Sequence, residues 1–455
     1  MPPTISEAFL LCGGESRRLG FPKEMIRADG APLAVALVRR LQSVFERVSV
    51  VTNHPAYLDT WLDVPLWRDE YPGLGPLAGV HAGLRQVKGE GGFFLGCDMP
   101  FLRERHLRRV AQAAAEAPAT VARTNGGAEP LCGVYATELL PELEERLRAG
   151  EELSTQEFLH QVDADYVDFG SSEERLFRDV DRPEDLAALR REFEEVEPLP
   201  VARHGTTRIG GETLQEDSVA VERAFDFRLN GVRMATVQCL PGDLRPLVVG
   251  FLSYLGLIDE PARVGGIDVD YEAARISARA EIADEDIQKA FQLQISSSCG
   301  AGIYGPPLSD LEAPGRRPEF RVSADRILEV VHRLRAMAPA FGRTGGTHQA
   351  AFSDPDRILQ FAEDVGRHNA IDKVVGYCLI DGTDASRGFL AATGRLNAQM
   401  MIKALRQGIP VVASRSAATT GALEIAEDHG LTVVGFARGH RVNVYTHPER
   451  IAEGA

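Results

Sequence analysis

Ala8-Phe9-Leu10-Leu11-Cys12-Gly13-Gly14-Glu15-Ser16-Arg17-Arg18-Leu19-Gly20-Phe21-Pro22-Lys23 reads as a buried strand that breaks into a glycine-rich turn and ends on cationic side chains. Gly13 and Gly14 let backbone N–H groups approach phosphate oxygens with no Cβ in the way, and Ser16, Arg18 and Lys23 supply a hydroxyl and two charges to match. Outward from this turn, residues 4 to about 193 alternate strand-like and helix-like patterns. A helix is expected around Ala34–Phe45, a strand at Val48–Asn53, a Gly/Pro-rich loop at Asp69–Gly79 leading into a helix near Val80–Leu84, and a strand at Phe93–Asp98. This is the rhythm of a mostly parallel α/β sheet, in which ligands sit at the carboxyl ends of strands, where Asn53 and Asp98 fall.

The chain has 455 residues, more than a single core usually serves, so at least two domains are expected. Its formal net charge of −16 disfavours nucleic acid or an anionic membrane as the main partner, although a local basic cluster can still take a small anion. Met1-Pro2-Pro3-Thr4 carries no basic leader, and no apolar run is long enough for a membrane span, so a cytoplasmic protein is expected. The six cysteines show no C-x-x-C pairing, so cysteine chemistry should rest on a single thiol.

The pattern L-x-G-G-x-S-x-R-x-G with Lys23 three residues on resembles the opening of the molybdenum cofactor guanylyltransferases, the MobA family. Asp69-Glu70-Tyr71-Pro72-Gly73-Leu74-Gly75-Pro76-Leu77-Ala78-Gly79 is similar to that family's nucleotide-pocket loop, and Gly96-Cys97-Asp98-Met99-Pro100 to its C-D-M-P. The resemblance implies a Rossmann-like (GT-A-like) nucleotidyltransferase at residues 1–196 that moves GMP from GTP to molybdopterin. It implies a nucleotide pocket at Leu11, Gly13, Gly14, Ser16, Asn53, Asp69 and Gly75, with Arg18 and Lys23 catalytic. Mg²⁺ would be held by Asp98 and by Asp181 of Phe177-Arg178-Asp179-Val180-Asp181-Arg182-Pro183-Glu184-Asp185-Leu186. The family has Asn where this chain has Asp179 and Asp181. The charged stretch Pro183–Val196 is expected to be helical, followed by a linker at 197–204.

The second half differs in kind. A strand-like Phe225–Gly231 and a helix near Leu244–Leu255 precede Ser296-Ser297-Ser298-Cys299-Gly300-Ala301-Gly302, where small residues flank one thiol. Gly345-Gly346-Thr347-His348-Gln349-Ala350-Ala351 and Asp364-Val365-Gly366-Arg367-His368-Asn369-Ala370-Ile371-Asp372-Lys373 follow, and Val433–Tyr445 closes the set. These resemble the FdhD family, sulfurtransferases required by formate dehydrogenase. The resemblance implies a cytidine-deaminase-like α/β domain at 205–455 and a homodimer through it. It implies a persulfide on Cys299, loaded by a cysteine desulfurase and delivered to the bis-molybdopterin guanine dinucleotide cofactor of formate dehydrogenase. His348, Arg367, His368, Asn369, Asp372 and Lys373 would bind that cofactor. The family loop commonly carries a second cysteine where Gly302 stands, so a non-catalytic cofactor chaperone is the rival reading of this half. Cytidylyl transfer, or transfer to a sugar phosphate, is the rival for the first.

Overall fold

The computed structural model describes residues 5–14, 16, 18–114, 117–150, 154–207, 214–292 and 320–452. The chain divides into two mixed α/β units, Met1–Glu197 and Pro198–Ala455.

In the first unit, β1 (Glu7–Cys12) lies between β2 (Arg47–Thr52) and β4 (Gly91–Gly96), parallel to both, and β3 (Leu66–Trp67) extends the sheet parallel to β2. Beyond β4 come β6 (Gly127–Ala136), antiparallel to it, then β5 (Ala119–Thr124) and β7 (Asp165–Asp168), in the order β3-β2-β1-β4-β6-β5-β7. β1 and β4 are buried at all six positions, as strands in the middle of a sheet are, and Glu7, the charged residue among them, is paired with Arg47 at 2.8 Å. Helix α1 (Leu33–Gln42) buries Leu33, Ala34, Leu37, Val38 and Leu41, a stripe at helical spacing. Helix α2 (Pro76–Leu84) begins with Pro76 in its first turn after Gly75, whose φ of 86° is one that glycine tolerates.

The charged segment expected to be a long helix is instead a 3₁₀ turn at Pro183–Asp185 and a single α turn at Leu186–Leu189. Its end is held by backbone pairing to the turn before α1: Asp29 N donates to Glu195 O at 2.8 Å and Glu197 N to Arg27 O at 3.0 Å. Those bonds need extended backbone and so stop the helix. Residues 201–204, read from sequence as linker, belong to β8 (Val201–Thr207), which pairs antiparallel with β9 (Leu214–Ala220).

The second unit contains two larger sheets. One has β10 (Arg223–Leu229), β11 (Val232–Cys239), β12 (Val264–Asp270) and β13 (Arg275–Ala280) in the order β11-β10-β13-β12. The other has β14 (His348–Ser353), β15 (Ile358–Asp364), β16 (Phe389–Ala392), β17 (Val411–Ser414), β18 (Thr432–Arg438) and β19 (Arg441–Val444) in the order β15-β14-β16-β17-β18-β19. β16, β17 and β18 are parallel, and the outer pairings are antiparallel. Helix α3 (Leu244–Tyr254) is buried on almost every face and packs on α4 (Arg367–Ile380). Gly250 and Gly376 make that approach possible, because a Cβ at either would overlap a backbone carbonyl of the facing helix, at Asp372 and Pro246 respectively. Helices α5 (Ala398–Arg406) and α6 (Thr420–Asp428) follow β16 and β17.

Candidate functional site

In the first unit the parallel register brings the ends of β1, β2 and β4 to one edge. Leu11 faces the core, and its carbonyl accepts the Cys97 N–H at 3.1 Å. Gly13 and Gly14 follow β1, and Asn53 just beyond β2 donates its amide to Gly13 O at 3.4 Å. Ser16, in the left-handed region at φ 46°, bonds Gly14 O through its hydroxyl and accepts the Lys23 N–H at 3.4 Å, so the loop and Lys23 are tied together. Lys23 Nζ then reaches Asp98 Oδ2 at 3.3 Å and also pairs closely with Asp181 Oδ1, while Arg18 meets Asp181 Oδ2 at 3.2 Å. Asp69 is engaged within its own loop, accepting the Tyr71 N–H at 2.8 Å, and burial pushes its pKa up.

Asp181 arrives through the backbone: Val180 N donates to Asp98 O at 3.0 Å, which sets Asp179 and Asp181 on either side of that bond. Burial works against the Lys23 charge, but Asp98 and Asp181 hold its pKa above the ordinary lysine value. Two further carboxyls share the field. Burial, then Asp98 and Asp181, push Asp179 up to about 6. Burial, then Asp179, push Glu129 up to about 7.

Glu129 was not anticipated from sequence, since Ala128-Glu129-Pro130 carries no motif. The fold supplies the signal: β6 runs antiparallel beside β4 as far as Leu95 and Cys132, which brings Glu129, near the start of β6, into the field of Asp179 and Asp98 beyond the end of β4.

Among the described residues no group of three or more His, Cys, Asp or Glu side chains is gathered as for a metal ion. Magnesium bound with a nucleotide needs fewer protein ligands, taking one or two carboxylates and completing its shell with phosphate oxygens and water. Asp98 and Asp181 match that demand. Asp98 Oδ1 is buried without a hydrogen-bond partner, and Gly96 leaves the room it occupies, since a Cβ there would lie 2.5 Å away.

In the second unit His348 opens β14, and Arg367 and His368 open α4. They meet the loop after β16: Thr393 Oγ1 lies 3.5 Å from His348 Nδ1, Asn397 Nδ2 lies 3.0 Å from His368 Nε2, and a Cβ on Gly394 would come within 2.8 Å of Arg367 Cβ. This is the carboxyl end of the parallel strands, the usual ligand edge of such a sheet. Arg395 and Arg415, which the sequence reading did not single out, lie on the loops after β16 and β17 at that edge. Burial, then Lys403 and Arg367, push His368 down to about 3, and burial, then Arg367, lowers His348. Both imidazoles are therefore neutral donors or acceptors at neutral pH, and Arg367 carries the charge.

Asn369, Asp372 and Lys373 are directed elsewhere. The Asn369 amide donates to Gln238 O at 2.7 Å and Asp364 Oδ1 at 2.9 Å. Lys373, 1% exposed, pairs with buried Asp364 at 2.8 Å, and Asp372 pairs with buried Lys403, whose ammonium lies 4.2 Å from the Tyr254 ring centroid. Helix geometry explains the division: successive residues point about 100° apart, so neighbours in one motif face different partners. These three hold the framework behind the edge.

Cys299 lies outside the described residues. Cys239 and Cys378, the other two cysteines of the second unit, are buried, and burial pushes Cys239 up to about 12. Cys12, Cys97 and Cys132 are buried as well. No helix among the described residues is long and apolar enough to cross a membrane.

Comparison with known proteins finds both halves. A model of the FdhD/NarQ family matches residues 220–452, and one of the MobA-like NTP transferase domain matches residues 8–164. The sulfur carrier protein FdhD of Geobacillus kaustophilus is 35% identical over 260 residues, which cover 56% of this chain and 97% of that protein. Among solved structures, a formate dehydrogenase accessory protein from Desulfotalea psychrophila is similar at 27% identity and a TM-score of 0.45, over 55% of this chain and 98% of the other. Molybdopterin-guanine dinucleotide biosynthesis protein A from Archaeoglobus fulgidus is similar at 23% identity and a TM-score of 0.35, over 40% of this chain and 95% of the other.

Proposed function

Because this chain belongs to the FdhD/NarQ family and carries a MobA-like NTP transferase domain ahead of it, we propose that it matures the molybdenum cofactor in two steps. The first unit attaches GMP from GTP to molybdopterin, and the second binds the guanylated product and passes it sulfur as a persulfide on Cys299. Joining the two on one chain raises the concentration of product near the second site.

The observation that carries the first step is Lys23 bridging Asp98 and Asp181 while its backbone N–H bonds the Ser16 hydroxyl. Arg18 and Lys23 neutralise the phosphates, and the turn's backbone N–H groups orient them. A pterin phosphate oxygen attacks the α-phosphorus and pyrophosphate leaves. Mg²⁺ held by Asp98 and Asp181 would supply further charge neutralisation at the triphosphate. Asp98→Ala is expected to lower pyrophosphate release from GTP plus molybdopterin by about 10²–10³ with the fold unchanged by circular dichroism. Near-normal release from a folded variant would sink the assignment, and a faster reaction with CTP would move the base preference to cytosine.

For the second step, a cysteine desulfurase is the sulfur donor and a formate dehydrogenase the recipient of the finished cofactor. The homodimer expected of this half belongs to the same proposal. Arg367, with Arg395 and Arg415 on neighbouring loops, gives the edge the positive charge that nucleotide phosphates require. Incubation with desulfurase and cysteine should add one sulfur to the intact chain, and Cys299→Ala should remove that gain. The Gly302 substitution favours a second reading, a cofactor chaperone without sulfur turnover, and binding of guanine nucleotide with no mass gain would establish it.

A further inference from the structure

Lys23 sits where an incoming cation would have to go. Its side chain is 13% exposed, against 25% for Asp98 and 32% for Asp181, and its ammonium bonds one oxygen of each carboxylate. The two carboxylates come from separate segments, one following β4 and one from the closing turn, and the backbone bond from Val180 to Asp98 forces them together. Asp179 and Glu129 crowd the same place. Such a cluster needs a cation to hold its shape, and Lys23, with Arg18 on the outer oxygen of Asp181, supplies it.

Two carboxylates against one ammonium and one guanidinium leave Asp98 and Asp181 neutralised. A divalent ion entering alone would have to break both carboxylate contacts of the ammonium and hold two cations against the same carboxyl cluster, which their mutual repulsion in partly buried surroundings makes unfavourable. A triphosphate changes that balance. Its oxygens offer the ammonium a new set of anions, and a lysine is a compact charge on a flexible stem, able to move between them. Lys23 is also joined through its backbone N–H to Ser16 on the turn that would receive the phosphates.

We infer that Lys23 is a built-in counterion that keeps the metal site occupied until nucleotide arrives, so that the divalent ion enters together with the triphosphate rather than before it. This rests on the reading of Asp98 and Asp181 as the metal carboxylates, and the test separates the two claims.

The probe is Mn²⁺, an oxygen-seeking ion visible by electron paramagnetic resonance, titrated into the full-length protein without nucleotide. Lys23→Met keeps the stem and removes the charge; Lys23→Gln is a second variant should the first fold poorly, and melting curves check both. Wild type is expected to bind Mn²⁺ at least about tenfold more weakly than either variant, with Asp98→Asn in the Lys23→Met background abolishing the gain. Equal affinity in wild type and the folded variants, lost on Asp98→Asn, would overturn the counterion role and leave the metal site standing. No Mn²⁺ binding dependent on Asp98 in any of them, in the absence of nucleotide and again with GTP added, would overturn both.

Discussion

Glu129 shows what a single residue contributes once the fold has placed it. Its carboxyl is raised from 4.5 to about 7, so the fold favours the protonated form. The stability this gives is complete below about pH 4.5 and is lost as pH rises through about 7. Glu129→Gln, neutral at every pH, is expected to melt a few degrees above wild type at about pH 8 and close to wild type at about pH 5. Equal melting at both would show that its charge is not strained. His368 runs the opposite way: with its pKa depressed to about 3, the unfolded chain takes up a proton first as pH drops below about 6.5, so stability is lost as pH falls rather than as it rises. At this scale the sequence marked Lys23, Asp98, His348 and Arg367 as candidates because each sits in a recognisable run of small or polar residues. It concealed Glu129, whose carboxyl neighbours Asp98 and Asp179 lie thirty-one and fifty positions away along the chain and meet it only in the fold. It misdirected the reading of Asp372 and Lys373, because a polar pair inside an apolar helix looks alike whether it serves a ligand or a buried ion pair.

The element that most constrains the second unit is the crossing of α3 and α4. Gly376 lies within the apolar run Val374-Val375-Gly376-Tyr377, where a glycine costs helix stability and so must be present for packing. Gly376→Ala is expected to destabilise the protein by about 1–3 kcal/mol in denaturant unfolding, since the methyl group meets backbone rather than a movable side chain. An unchanged or raised midpoint would mean that the helices can separate at little cost. Strands were legible where burial makes them apolar, as at Ala8–Leu11 in β1 and Phe93–Leu95 in β4, and helix α1 from its apolar stripe, whereas α3, buried on almost every face, shows itself by the length of its apolar run. The segment Pro183–Val196 was not, because charge density and apolar spacing both suit a helix, and only pairing with Arg27–Asp29 decides otherwise.

For the whole molecule, each unit has its own hydrophobic core, one centred on Phe9, Phe94 and Tyr135 and the other on Phe227, Leu252 and Phe352. A fragment ending at Glu197 is therefore expected to fold and to retain nucleotidyl transfer when assayed alone with GTP and molybdopterin; an insoluble or inactive fragment would make the second unit part of the first activity. The division into two α/β halves was legible from the change in motif vocabulary between residues 186 and 225. The pairing of β8 with β9 was not, because strands of mixed polarity with a solvent face differ little from a polar linker in composition.

The burial of Cys12, Cys97, Cys132, Cys239 and Cys378 has an analytical use. Five of the six thiols are withheld from reagents in water, so alkylation of the native protein carries almost no background from the core. An adduct acquired without denaturant would report on Cys299, so the ratio of native to denatured labelling before and after incubation with a sulfur donor tests the proposal that this thiol takes up sulfur.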